Sequence, residues 1–276
     1  MFDVMKILYH FWQARKLAKQ LTTREKLHQY QQERLQYFID NTLGKSPFYR
    51  QYQYKSLKDI PIIDKSVFLK SFDRINIVGI TLNEALRVAR NAEEKRDFSS
   101  TWNDITIGLS SGTSGKENIF MASTEERLRW AGIMLEKALP GSIMGSYKIA
   151  FFLRANSNLY TTLRQSKRIR FEFFDLMQSV DGNLKRLNHL QPNILTAPAS
   201  VLTLIAKAQK DKIINIKPDK IFSVAEVLEP DDQQYIEEVF EQKLHQIYQC
   251  TEGFLGITNN QGDLYLNEEY LYIEKE

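Results

Sequence analysis

A chain of 276 residues with 43% hydrophobic and 26% charged side chains has the balance of an ordinary globular protein, long enough for a sizeable core. Its formal charge is only +3, and Lys and Arg are interleaved with Asp and Glu along most of the chain, so no basic stripe for nucleic acid forms. The single cysteine, Cys250, excludes an intramolecular disulfide, no stretch approaches the roughly 20 apolar residues of a transmembrane segment, and Lys6 and His10 interrupt the opening apolar run, so a reducing cytoplasm is the expected compartment.

The first segment, residues 1–55, reads as helical. Met5, Leu8, Phe11, Trp12 and Leu17 are spaced for one helix face, and Thr22 or Thr23 is placed to cap a second helix running through Arg34 and Phe38. The aromatic start, with Phe2, Leu8, Phe11 and Trp12, suits either a membrane surface or packing on the chain's own domain, and packing is the expectation. SPFYR then breaks the pattern at Pro47, Pro61 in DIPIID marks a further loop, and Asp64 is placed to cap the short helix KSVFLKSF.

From about Asp104 the texture changes to short β-branched or aromatic runs alternating with amphipathic helices, which predicts an α/β sheet with crossover helices. ITIGLS and NIFMA flank a Ser/Gly/Thr loop, and Ser123 with Glu126 forms a capping box for a helix to Leu139. YKIAFFL, RIRFEFF, NILTA, KIFSVA and LHQIYQ are further strands, separated by helices after Val180, Pro198 and Pro230. NNQGD, between GFLGIT and LYLNEEYLYIE, predicts a hairpin turn.

Three segments carry chemistry. In Ser110-Ser111-Gly112-Thr113-Ser114-Gly115-Lys116, hydroxyls and unhindered backbone N–H groups share one tight loop with a lysine, a concavity suited to phosphate oxygens; a plain surface turn is the competing reading. It is not a Walker loop, because Ser110 stands where Gly is needed and Glu117 follows the lysine. In Tyr248-Gln249-Cys250-Thr251-Glu252-Gly253, a ring able to stack on a base, a hydroxyl and a carboxylate for a hard cation follow a predicted strand, where open α/β sheets bind ligands; a turn with an incidental Glu is the alternative. The third, Phe222 to Leu228 (FSVAEVL), ends another predicted strand.

In the chain order SSGTSGK, SVAEVL, YQCTEG, these motifs resemble the adenylate-forming (AMP-binding) superfamily of acyl-CoA synthetases, luciferases and peptide-synthetase adenylation domains. With SPFYR they look like its phenylacetate-CoA ligase and CapK-like branch, near the deazaflavin-coenzyme-adenylating synthetases, and FFLRANSNLY, LTAPASVL, SVAEVLEP and YQCTEGFLG look like an uncharacterised clade close to that group. The resemblance covers most of the chain from about Ser46.

It implies an AMP-binding large domain, incomplete over residues 56–276, that forms an acyl or aryl adenylate from ATP and an acid with release of pyrophosphate. It also implies that Ser110, Ser111, Gly112, Thr113, Ser114, Gly115 and Lys116 hold the β- and γ-phosphates, that Ala225 and Glu226 border the adenine, that Tyr248 stacks on it, that Thr251 meets the α-phosphate, and that Glu252 binds magnesium. Fixed donors and a metal would neutralise the charge developing at phosphorus, so no protein nucleophile is needed. The superfamily pattern continues to a ribose-binding Asp, a hinge and a small C-terminal domain with a catalytic Lys, none of which precedes Glu276; Asp263 lies too near Glu252 for the ribose role. Charge-assisted hydrogen bonds contribute about 1.5–3 kcal/mol each and a transition-state donor about 2.7–4 kcal/mol, so weak ATP binding and very slow adenylation are expected of this chain by itself. A fragment, a natural truncation and half of a split enzyme remain open, as do the acid, the acceptor (coenzyme A, a carrier-protein thiol or none) and the oligomeric state. The competing function is a non-catalytic nucleotide-binding or scaffold protein on the same fold.

Arg154, Asn156 and Asn158 follow the strand YKIAFFL with unusual polar density and either line the acid-substrate side or cap the next helix. His10, His28, His189 and His245 lack ligand spacing and are expected at the surface or in packing. Cys250 is expected to be a buried small residue, Glu268 and Glu269 either a solvated strand end, the expectation, or an auxiliary acidic site, and Lys167, Arg168 and Arg170 a solvated strand entrance.

Overall fold

A computed structural model describes residues 2–52, 56–97, 99–109, 118–154, 168–251 and 253–274. Its helices are α1 (Phe2–Gln20), α2 (Arg24–Asn41), α3 (Lys65–Ile75), α4 (Leu82–Lys95), α5 (Thr124–Ala138), α6 (Val180–Leu190), α7 (Ala199–Lys210) and α8 (Pro230–Phe240). The strands are β1 (Thr101–Trp102), β2 (Ile105–Leu109), β3 (Ile119–Ala122), β4 (Tyr147–Leu153), β5 (Ile169–Asp175), β6 (Ile194–Ala197), β7 (Lys220–Ser223), β8 (Leu244–Cys250), β9 (Gly253–Thr258) and β10 (Leu264–Leu266). They form two compact units, Met1–Ala14 with Ala122–Asn267, and Arg15–Met121 with Glu268–Glu276.

The first unit is built on a seven-stranded sheet in the order β10-β9-β8-β7-β6-β4-β5. β5, β4, β6, β7 and β8 run parallel, and β9 and β10 add antiparallel strands at one side. The parallel strands are covered on both faces, which is why YKIAFFL reads as a continuous apolar run rather than an alternating one. Ile149, Phe151 and Phe222 point into a core shared with Ile7, Phe11 and the buried side of α5. Ala150, Phe152 and Ile221 point the other way, into a core formed with α6, α7 and α8. There Phe152 and Phe174 stack across neighbouring strands with ring centroids 4.4 Å apart.

α5 opens as its sequence predicts: Ser123 Oγ accepts from the Glu126 N–H while the Glu126 carboxylate takes the Ser123 N–H and hydroxyl. α1 crosses it closely at Gly132, where a Cβ would lie 2.6 Å from His10 Cβ and 2.7 Å from the Ile7 carbonyl oxygen. The Glu125 carboxylate binds both Lys6 and His10, and the Lys6 hydrogen bond, followed by that of His10, holds it below the usual carboxylate range. The face of α1 differs from the sequence expectation. Ile7, Phe11 and Ala14 are buried, whereas Met5 and Trp12 are exposed, because the apolar residues of this helix encircle it and spacing alone does not choose the packed side.

The second unit packs α3 and α4 against a three-stranded sheet, β1-β2-β3, around Phe72, Ile80, Ala85, Ala89, Ile107 and Ile119. ITIGL and IFMA thus belong to a sheet of their own rather than to the parallel one. Asp64 caps α3 by accepting the Val67 N–H at 2.7 Å, and Thr81 with Glu84 forms a capping box for α4, a helix the sequence reading passed over. Thr23 caps α2, and Arg24 donates to both oxygens of Glu268 at 2.7–2.8 Å, so Glu268 is an ion-pair partner rather than a free strand end. No described helix is long and apolar enough to cross a membrane.

Candidate functional site

The carboxyl edge of the parallel strands collects the loops that carry the sequence candidates in the first unit. β4 ends at Leu153 and delivers Arg154, β6 ends at Ala197 before Pro198, β7 ends at Ser223 before Val224–Glu226, and β8 ends at Cys250 before Thr251. Strand order reverses between β4 and β6: β5 lies on one side of β4, and the chain then returns past β4 to β6 and onward to β7 and β8. Crevices at such reversals are where open α/β sheets bind ligands.

The segment after β7 is strained. Ala225 has φ +63°, and the Glu226 N–H reaches back to the Val224 carbonyl at 2.8 Å, closing a three-residue turn around a non-glycine residue with left-handed backbone. That conformation carries a cost of order 1–3 kcal/mol and recurs at ligand sites. The turn aims Glu226 at the start of α7, where its carboxylate accepts from the Ser200 N–H at 2.9 Å and the Ser200 hydroxyl at 3.1 Å. Pro198 offers no side-chain cap, so Glu226 supplies the negative group favoured at a helix N-terminus.

Tyr248 is half-exposed and lies opposite Gly256, next to a register shift at Tyr248/Gln249. The pairing of Ser223 with Gln246 and the two-residue alternation of β8 put Tyr248 on the same sheet face as Ser223, the face against which α7 packs. Two residues to which the sequence assigns no role of their own sit here. Ser200 is the partner of Glu226, and Ser223, 2% exposed, has a hydroxyl with no hydrogen-bond partner among the described residues. Both stand inside segments quoted above, Ser200 in LTAPASVL and Ser223 in FSVAEVL, but local sequence does not show that the first meets Glu226 or that the second is buried.

The Thr251 side chain is partly buried, and Cys250 is half-buried with Sγ 3.8 Å from the Gly253 carbonyl oxygen. Trp130 Nε1 donates to Gln249 Oε1 at 3.3 Å, tying β8 to α5. Ser110, Ser111, Gly112, Thr113, Ser114, Gly115 and Lys116 lie outside the described residues, as do Asn156, Asn158 and Glu252. The strands flanking the first of these segments, β2 and β3, are neighbours in the three-stranded sheet. Gly108, just before it, leaves room for the Phe120 ring, which a Cβ would meet at 2.5 Å.

No family model matches this sequence, and no curated protein matches it. Solved structures do match its fold. 2-Hydroxyisobutyryl-CoA ligase, in complex with 2-HIB-AMP and CoA in the thioesterification state, aligns over 88% of this chain and 54% of its own at 16% identity with a TM-score of 0.58. An open conformation of that ligase aligns over 86% and 52% at 15% identity with a TM-score of 0.57, and its postadenylation state over 86% and 51% at 16% identity with a TM-score of 0.52. The chain has the mixed α/β fold of the large domain of adenylate-forming ligases. It spans about half the length of the solved structures it matches.

Proposed function

We propose that this chain provides the nucleotide-binding part of an ATP-dependent ligase that joins a small carboxylic acid to AMP, in the phenylacetate-CoA ligase and CapK-like branch of the adenylate-forming enzymes. The observation that supports this most directly is the strained Ala225 turn with its Glu226–Ser200 contact beside the half-exposed Tyr248, on adjacent strands at the carboxyl edge of a sheet with this fold. In this reading Ala225 and Glu226 border the adenine, Tyr248 stacks on it and Thr251 meets the α-phosphate, while the loop from Ser110 to Lys116 takes the β- and γ-phosphates. Arg154, Asn156 and Asn158 face the acid. The 2-hydroxyisobutyryl-CoA ligase structures hold an acyl adenylate and CoA, which favours a small acid here and coenzyme A, or a carrier thiol, as acceptor.

A magnesium ion is commonly held by one or two carboxylates together with nucleotide phosphates, so Glu252 alone fits the protein's share. Among the described residues no three His, Cys, Asp or Glu side chains are grouped to hold a metal without such help. The bound ion would supply neutralisation of charge at the reacting phosphate.

The test is pyrophosphate exchange over a panel of acyl and aryl acids, with the chain alone and with the homologous remaining half of a ligase added. Exchange is expected near background for the chain alone, to rise when the remaining half is present, and then to fall by about a hundredfold or more with Glu252→Ala. Strong exchange by the 276-residue chain alone, abolished by the same substitution, would show that its own residues complete the site. Nucleotide binding without exchange for any acid, even with the added half, would favour a non-catalytic nucleotide-binding scaffold.

A further inference from the structure

α1 has two apolar sides, and among the described residues one is buried and the other exposed. Ile7, Phe11 and Ala14 are buried at 3–6% exposure, while Phe2, Met5, Tyr9 and Trp12 are 72%, 63%, 59% and 55% exposed. At about 100° per residue, these four fall within an arc of roughly 80° on the outward side of the helix. The same arc continues through Lys16 and Lys19, both exposed, and Lys6 flanks it. Asp3, the one carboxylate of α1, lies about 100° from Phe2, off this stripe.

The charge is as uneven as the hydrophobicity. α1 carries Lys6, Arg15, Lys16 and Lys19 against Asp3, a net +3 that equals the formal charge of the whole chain, so the rest of the sequence balances to zero. We propose that the outward face of α1 docks on an anionic lipid surface, with Phe2, Met5, Tyr9 and Trp12 entering the headgroup region and Lys16 and Lys19 meeting lipid phosphates. Aromatic rings suit the boundary between headgroups and acyl chains, and lysine stems lie along apolar surface while their ammonium groups reach charge. Charge complementarity decides the occupant. A second copy docked through the same face would add another Lys16 and Lys19 to the interface, whereas an anionic bilayer supplies the opposite sign. The helix lies on the surface rather than spanning it, since no described helix is apolar enough to cross. The packed side, held by Glu125 and the Gly132 crossing, stays as it is.

The experiment is co-sedimentation of the full chain with vesicles of phosphatidylcholine alone and of equimolar phosphatidylcholine and phosphatidylglycerol. Partition is expected only to the mixed vesicles and should fall as salt is raised. Phe2→Ser with Trp12→Ser, and separately Lys16→Glu with Lys19→Glu, should each lower the partition coefficient by about tenfold or more with the thermal unfolding midpoint little changed. Should the first pair disturb folding, Phe2→Ser with Met5→Ser replaces it. The proposal is overturned by absence of partition to mixed vesicles, by equal partition to neutral ones, or by partition that survives both sets of substitutions. A dimer seen by sedimentation velocity and dissolved by Phe2→Ser with Trp12→Ser, in a chain that ignores vesicles, would assign the face to a second copy and also overturn it.

Discussion

The two ends of the seven-stranded sheet hold their polar groups in opposite ways. At the amino end Lys220 and His245 are 7% and 6% exposed, on the same face of neighbouring strands, with Phe222 beside both. Burial holds the Lys220 ammonium below the usual lysine range; burial first, and the Lys220 charge second, lower His245. At the carboxyl end Ala225 and Glu226 are exposed, Tyr248 is half-exposed, and polar contacts run through turns. Perturbed titration is a common mark of functional sites, yet here it falls at the closed end, where side chains pack on apolar neighbours. The open end has backbone strain and accessible groups instead. Substitutions at the amino end should therefore act on stability alone, and those at the carboxyl end on ligand binding, with a stability cost only where the side chain also caps a helix, as Glu226 does.

The largest expected effect is in the apolar packing around Lys220 and His245. Phe222→Ala removes a ring that is 1% exposed in the central strand β7, and should destabilise the protein by about 3–5 kcal/mol in urea unfolding. Losing less than about 1 kcal/mol would mean that this core is loosely packed and the contrast between the two ends false.

Glu226→Ala comes next. It strips the cap from α7 and leaves the Ser200 N–H without its carboxylate, which should cost about 1–2 kcal/mol of stability. Glu226→Gln keeps an acceptor and should recover part of that loss. Full stability in the alanine variant would separate Glu226 from the helix and leave only the adenine-bordering role.

Tyr248→Ala reverses the balance: the half-exposed ring should change stability by no more than about 0.5 kcal/mol, while affinity for ATP or AMP should fall roughly tenfold by calorimetry. Unchanged affinity in the folded variant would remove Tyr248 from the nucleotide site.

Much of this architecture was legible in the sequence because local chemistry acts locally. Thr23 (one of two candidates, with Thr22), Asp64, and Ser123 with Glu126 all cap their helices as the sequence predicts, since each needs only its own next three residues. YKIAFFL and LHQIYQ form strands as their apolar runs predict, and NNQGD turns β9 back to β10. TLNE carries the same capping signature at the start of α4. What was not legible depends on distant partners. Ile7 rather than Met5 is buried because α5 presents Gly132 at that crossing, more than a hundred residues on. The separation of β2 and β3 into their own sheet, and the Glu226–Ser200 contact, likewise join residues that no window of sequence shows together.

The smallest effect tests whether the buried amino-end pair is a matter of packing alone. With its folded value below the ordinary 6.5, His245 binds a proton more readily in the unfolded chain, so stability is complete above about pH 6.5 and declines as pH falls through the folded value. One proton sets a ceiling of about 1.4 kcal/mol per pH unit on this slope. His245→Gln, which keeps a polar contact for the Thr258 hydroxyl now 3.2 Å from Nδ1, should flatten unfolding free energy between pH 7.5 and pH 5, above the range where carboxylates titrate. Lys220→Met should reduce the slope without removing it, because burial is the larger cause and the lysine charge the second. Nucleotide affinity should follow neither substitution. If Lys220→Met abolished the slope entirely, charge rather than burial would govern His245, and the amino end would be an electrostatic device rather than a packed one.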